Sequence, residues 1–245
     1  MELKKIVYIL WPPAGQDRAR TRDILLNDCS PKFLKAGSSR LVMYIADPEA
    51  EMKSPAPKLY PGEAISAMAC FWVASIDKKK KIEEIFSGAG FRFAGYHVEE
   101  SIYTEYGGNR HAAPRDWADG MRSPGITAVT LMERPARIER QEWIRRWHGT
   151  MSPVSEEIQP RTRYVRNLVI EPLTGGAPPF EGMVAEGWPS KKHVTSSFLF
   201  YGAKNPFQLV RNMFRILRAV TSFLSLRRIQ VVMMSEYFMK TDWKK

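Results

Sequence analysis

Histidine and cysteine are both scarce in this chain, and their scarcity removes several kinds of chemistry at once. Two cysteines, Cys29 and Cys70, are too few for a disulfide framework, and neither stands in a CxxC pair. The four histidines include no HxxxH spacing, so no metal site is expected. No nucleotide motif is present either, and no cofactor is expected. Such sparing cysteine usage suits a reducing compartment, which makes the cytoplasm the expected location. A run of about 18 apolar residues, the length that spans a bilayer, is missing as well. The opening MELKKIVYILWPP has only six apolar residues in a row and no small-residue cleavage site, so it does not read as a signal peptide.

What is there is an ordinary globular composition. The 245 residues are 44% apolar and 26% charged, enough for one large domain or two small ones. The net charge of +11 suits anionic partners in general. It is spread along the chain, and its one run, Lys78 to Lys81, opens a helix-like KKKKIEEIF and reads as a solvated face.

Self-comparison is more informative. Sliding the chain by 122 positions sets Pro13 on Pro135, Ala14 on Ala136, Arg18 on Arg140, Ser30 on Ser152 and Pro31 on Pro153. Those are five identities in 22 ungapped positions. The order of elements repeats too. KIVYILW reads as a strand, 17–29 as a helix, SRLVMYIAD and AISAMACFWVAS as strands, 78–87 as a helix and FRFAGYHVEESIYTEY as a strand. In the second copy GITAVTLME, RYVRNLVIEP, EGMVAEGWPS and RRIQVVMMSEYF are the strands, with helices over 139–151 and about 206–224. Because each Ser-Pro should stop a helix, the first helix of each copy is expected to end at Cys29 and Met151.

The order βαββαβ is the ferredoxin-like unit, whose sheet keeps one open face. The expected fold is α+β: two tandem ferredoxin-like repeats closing their open faces into a pseudo-twofold α+β barrel around a cavity. The repeats are placed at 1–106 and 125–245, with the turn-rich 107–124 as linker.

The second copy resembles an EthD domain, a family of dimeric α+β barrels. The resemblance rests on Arg134-Pro135, Trp143 with Trp147, Ser152-Pro153, Arg163-Tyr164-Val165-Arg166-Asn167 and Glu181-Gly182, with Glu186 and Trp188 fitting after a one-residue slip. Met151 stands where the family carries a histidine, and Cys29 stands there in the first copy. The resemblance implies a place in catabolic or polyketide-type pathways, with dehydratase or decarboxylase activity among relatives.

His148 lies beside the position of the missing histidine, on a helical stripe with Ile144, Trp147 and Met151. Glu186 and Trp188 share a strand face, which would raise a carboxylate's pKa and suit it to proton transfer. His148 and Glu186 are therefore the candidate acid–base pair. Arg163, Tyr164, Asn167, Trp147, Met151, Trp188 and Trp72 are the candidate ligand contacts, with Trp72 the first-copy counterpart of Trp188 and Arg163 meeting an acid group. Strand parity allows only one of Tyr164 and Asn167 into a single cavity. Cys29 reads as a buried structural thiol.

The expected function is a cofactor-free lyase or isomerase binding a small apolar or aromatic, anionic metabolite. The alternative is a non-catalytic binding or accessory protein. No nucleic-acid partner is expected, since no RNP-type aromatic strand occurs. The 206–224 helix is expected to pack on its sheet rather than on a membrane. A monomer should suffice for the barrel, with a homodimer open through the outer helices.

Overall fold

The apolar, β-branched runs KKIVYILW and ITAVTLM become β1 (Lys4–Trp11) and β5 (Ile126–Met132), each flanked by strands on both sides. In the computed structural model, which describes residues 2–241, six further strands complete the set. They are β2 (Arg40–Ile45), β3 (Ala67–Val73), β4 (Arg92–Thr104), β6 (Arg163–Pro172), β7 (Gly182–Trp188) and β8 (Ile229–Lys240). All eight close into one antiparallel barrel in the order β1-β3-β2-β8-β5-β7-β6-β4. The first half reads β4-β1-β3-β2 and the second β8-β5-β7-β6, so the same order occurs twice. The halves join where β2 meets β8 and β4 meets β6, which leaves no edge strand among the described residues. The segment 107–124 follows β8, with Gly120 and Ser123 donating to Phe238 and Glu236 carbonyls.

The helices run further than the sequence predicts. In the first half α1 (Arg18–Asp23), capped by the Asp17 side chain, passes through a π-helical turn, Ile24–Cys29, into α2 (Ser30–Lys35). In the second, α4 (Arg140–Arg146) passes through Trp147–Met151 into α5 (Ser152–Ile158). The expected ends at Cys29 and Met151 are therefore corrected. A proline ring inside an α-helix crowds the carbonyl four residues back and removes a donor. Here the turn is widened instead: the Ser30 and Ser152 amides reach back five residues, to the Leu25 and Trp147 carbonyls. Each serine hydroxyl donates to that same carbonyl, at 2.8 Å and 3.0 Å. Ser-Pro marks a wide turn in both halves, not a stop.

Four more helices follow: α3 (Lys79–Gly88), α6 (Lys191–Thr195), α7 (Ser197–Phe200) and α8 (Pro206–Phe223). The Asn205 side chain accepts from the Gln208 amide at the start of α8. At its other end Arg137 and Arg146 donate to the Thr221 and Ser222 carbonyls, cations at the negative pole of the helix. Among the described residues no helix is long and apolar enough to cross a membrane.

The barrel interior is filled, which corrects the expected central cavity. Val7, Ile9, Met68, Cys70, Val129, Leu131, Met183 and Phe238 belong to its packed apolar core. Eight strands enclose a space just wide enough for their inward side chains.

Candidate functional site

The space lies outside the barrel wall. A cavity of about 500 Å³ separates the outer face of β5, β7 and β8 from α8, with Trp147 and Met151 of the wide turn and Pro55 to Pro57 on its border. The equivalent layer of the first half is filled by Tyr8, Phe33, Phe71 and Phe86, whose rings pack 4.8–6.1 Å apart.

Strand pairing explains part of the difference. Ile6 faces Phe71 across β1 and β3 as Ala128 faces Glu186 across β5 and β7, and Tyr8 stands where the second half has Thr130. Isoleucine, phenylalanine and tyrosine on one side of the barrel are thus alanine, glutamate and threonine on the other. Those replacements thin the strand side of the layer, and the helix side differs too: Phe33 of α2 and Phe86 of α3 fill the first half, whereas α8 borders the space in the second.

Its polar part is compact. Tyr164 and Glu186 are direct cross-strand partners on β6 and β7, and both line the cavity. Behind them Arg161, 0% exposed, donates to Glu186 at 3.0 Å and to Glu156 at 3.2 Å. Its guanidinium lies 3.8 Å from the centre of the Tyr164 ring. The Tyr164 hydroxyl accepts from Trp147 Nε1 at 3.1 Å. Ser152, 3.5 Å away, already spends its proton on the Trp147 carbonyl and accepts from Arg166. The lone pair left on Ser152 is a long acceptor for the Tyr164 proton, at 3.5 Å, so a ligand oxygen at ordinary hydrogen-bond distance would take that proton in its place. Burial, and next the Glu186 charge, raise the Tyr164 pKa, so this group stays a neutral donor. The rest of the wall is mostly apolar; Trp188 stacks on Phe200 with centroids 4.7 Å apart.

Of the residues singled out by sequence, Tyr164, Glu186, Trp147, Met151 and Trp188 come together here. Four do not. His148 is not on the wall; its ring meets Trp147 edge-on at 4.8 Å. One residue on from Trp147, it points off the wall that Trp147 and Met151 face. Burial, then the Arg166 charge, depress its pKa to about 4. Asn167 faces the barrel interior and donates to the Met183 carbonyl. Arg163 also points inward, bound to Glu236 at 3.0 Å and Glu105 at 2.7 Å, so it cannot meet a ligand's acid group here. Trp72 packs under Lys5 at the barrel rim, and its counterpart by register is Gly187; that of Trp188 is Val73. Among the described residues the only charged side chain lining the cavity is Glu186, so their wall offers no cation to the expected anionic group. Burial pushes the Cys29 thiol up to about 11, which leaves it protonated and inert.

Sequence reasoning missed Thr130, Gln159, Tyr201 and the α8 residues Ile216, Val220 and Phe223, all on the wall. It also missed Arg161. The signal for Thr130 was available: it is the position that the 122-residue shift sets against Tyr8. A second hollow, about 380 Å³, sits at one barrel mouth near Trp11, Tyr60 and Arg92 and holds none of the candidates.

No protein-family profile and no curated protein sequence matches the chain. Solved structures do, and they are α+β barrel proteins. An anthrone oxidase-like protein is similar at 8% identity, over 98% of this chain and 95% of that one, with a TM-score of 0.59. A dye-decolorizing peroxidase from Bacteroides thetaiotaomicron VPI-5482 is similar at 9% identity over 98% and 94%, with a TM-score of 0.50. At these identities the likeness defines the class by fold: an eight-stranded α+β barrel contained in one chain.

Proposed function

We propose that the chain is a small-molecule-binding barrel enzyme whose ligand, largely apolar and aromatic, occupies the cavity under α8. The observation that carries this reading is the asymmetry of the two halves. One is sealed by aromatic rings, and the other holds an apolar space with a carboxylate and a phenol side by side. In the finer reading the halves are tandem ferredoxin-like repeats, the second EthD-like, divided at about 1–106 and 125–245. The same reading makes the chain a cofactor-free isomerase or lyase of the cytoplasm.

The chemistry open to the pair is proton transfer beside a carbonyl. Glu186 takes a proton from the adjacent carbon, and Tyr164 hydrogen-bonds the developing enolate oxygen. Return of the proton to another carbon isomerises the ligand; loss of a β-hydroxyl as water, carrying the proton, dehydrates it. Arg161 positions Glu186, and the tryptophans hold the ring. His148, in place of which Tyr164 is now the partner of Glu186, has no part in these steps.

Two neutral aromatic probes test this. Calorimetry should find saturable one-to-one binding of 2-naphthol, weakened about 5- to 10-fold in Tyr164→Phe, the worth of one neutral hydrogen bond. Proton NMR in deuterium oxide should find that the protein speeds exchange of the 2-tetralone α-protons and that Glu186→Gln does not. Binding without faster exchange would favour the non-catalytic alternative; no saturable binding would end both readings.

A further inference from the structure

α8 is apolar on two opposite sides. Asn212, Ile216, Ala219 and Phe223 face the barrel and are buried. Phe207, Val210, Phe214 and Leu217 recur at i, i+3, i+7 and i+10 and are exposed by 77%, 67%, 64% and 56%. Met213 widens this outer face. Large apolar side chains gathered on one exposed helix face mark an interaction surface.

The charge around that face narrows what covers it. Between Glu186 and Glu236 the sequence has no acidic residue and eight lysines and arginines. Arg215 pairs with Glu157, whose pKa the Arg211 charge also helps to lower, whereas neither Arg211 nor Arg218 makes an ion pair within 4 Å among the described residues. A second copy packed α8 to α8 would place this basic helix against itself, because a twofold contact uses the same patch twice. An anionic lipid surface answers both features, taking the aromatic rings into the headgroup–acyl boundary and the arginines at the phosphates. The outer face is also continuous with the cavity: Leu217 is more than half exposed and still lines it.

We propose that α8 is a membrane-docking helix that seats the protein on anionic bilayers through Phe207, Val210, Phe214 and Leu217, with Arg211 and Arg218 as its electrostatic flank. Docked in this way, the rim of the cavity opens toward lipid, a route by which an apolar ligand enters without crossing water. The docking itself needs no ligand and does not depend on the proposed chemistry.

The full chain is tested by flotation with vesicles of phosphatidylcholine alone and with about 30% phosphatidylserine. The wild type should float with the anionic vesicles, remain behind with the neutral ones, and lose binding about tenfold as salt rises from about 0.05 M to 0.5 M. Phe207→Ser/Phe214→Ser and Arg211→Glu/Arg218→Glu should each lower anionic-vesicle binding about tenfold or more. These side chains are exposed, so the unfolding midpoint should not move, and 2-naphthol binding should persist. Absence of flotation with anionic vesicles, or flotation unchanged in both double variants, would overturn the proposal. So would a dimer by light scattering that Phe214→Ser dissolves while no vesicles are bound, which would assign the face to a second copy.

Discussion

Ala128 and Ile6 occupy the same register position in the two halves, and changing them should have effects of opposite sign. Ala128→Ile adds three carbons on the cavity wall, in a strand that tolerates β-branching. At roughly 0.8 kcal/mol per buried methylene, the upper limit of the gain is about 2.4 kcal/mol. Imperfect fit of the added branch brings the expected gain down to about 1 kcal/mol. Ile6→Ala removes the same three carbons where Ile6 is 0% exposed in the packed core of the first half. There it should cost about 2–5 kcal/mol, since the cavity left behind adds to the transfer term. Urea unfolding of both variants beside the wild type, read by tryptophan fluorescence and circular dichroism, gives the two differences. Ala128→Ile should also weaken 2-naphthol binding, because the added carbons take up ligand space. A loss of about 1 kcal/mol or more in Ala128→Ile is what overpacking of a closed core produces, and it would refute the asymmetry on which the functional reading stands.

Three further outcomes follow from individual contacts. His148, with its pKa lowered to about 4, binds fewer protons folded than unfolded between that value and about 6.5, so its contribution to stability falls as pH drops through this window. His148→Gln should flatten the slope between pH 7 and 5 by about 1 kcal/mol after allowance for solvent screening, with proton-exchange activity retained. Ser30→Ala and Ser152→Ala both remove the hydroxyl that folds back on the wide turn. Urea unfolding should show a loss of about 1 kcal/mol for the first and about 2 kcal/mol for the second, which also strips an acceptor from Arg166. Gly182→Ala would set a Cβ within 2.8–2.9 Å of Trp143, Trp147 and Met132, and should cost about 1–3 kcal/mol in the same assay.

The order of elements was legible because its signals are local: strand composition, turn residues and the Ser-Pro landmarks that fix the 122-residue shift. The wide turns were not, since proline in a helix reads as a break, and only the five-residue reach of Ser30 and Ser152 accommodates it. Parity grouped Glu186 with Trp188, and it separated Tyr164 from Asn167. It could not say which face of the sheet holds the free volume, so Arg163, Asn167 and Trp72 were assembled with residues that lie across the wall. Free volume is set by side chains from both layers, and here α8 and the first-half loop at Pro55 to Pro57 supply much of the boundary. The buried cation Arg161 was invisible because its two carboxylates, Glu156 and Glu186, come from separate elements.

The proposed ligand site lies between the wall of the second half and α8. A crystal structure of the protein with 6-bromo-2-naphthol, read by the anomalous signal of bromine, locates it directly. One bromine peak is expected in the cavity bounded by Thr130, Glu186, Trp188 and Val220, with the naphthol oxygen within hydrogen-bond distance of Tyr164 or Glu186. A peak inside the barrel, at its Trp11 mouth or in the first-half aromatic layer, with the second-half cavity vacant, would contradict it.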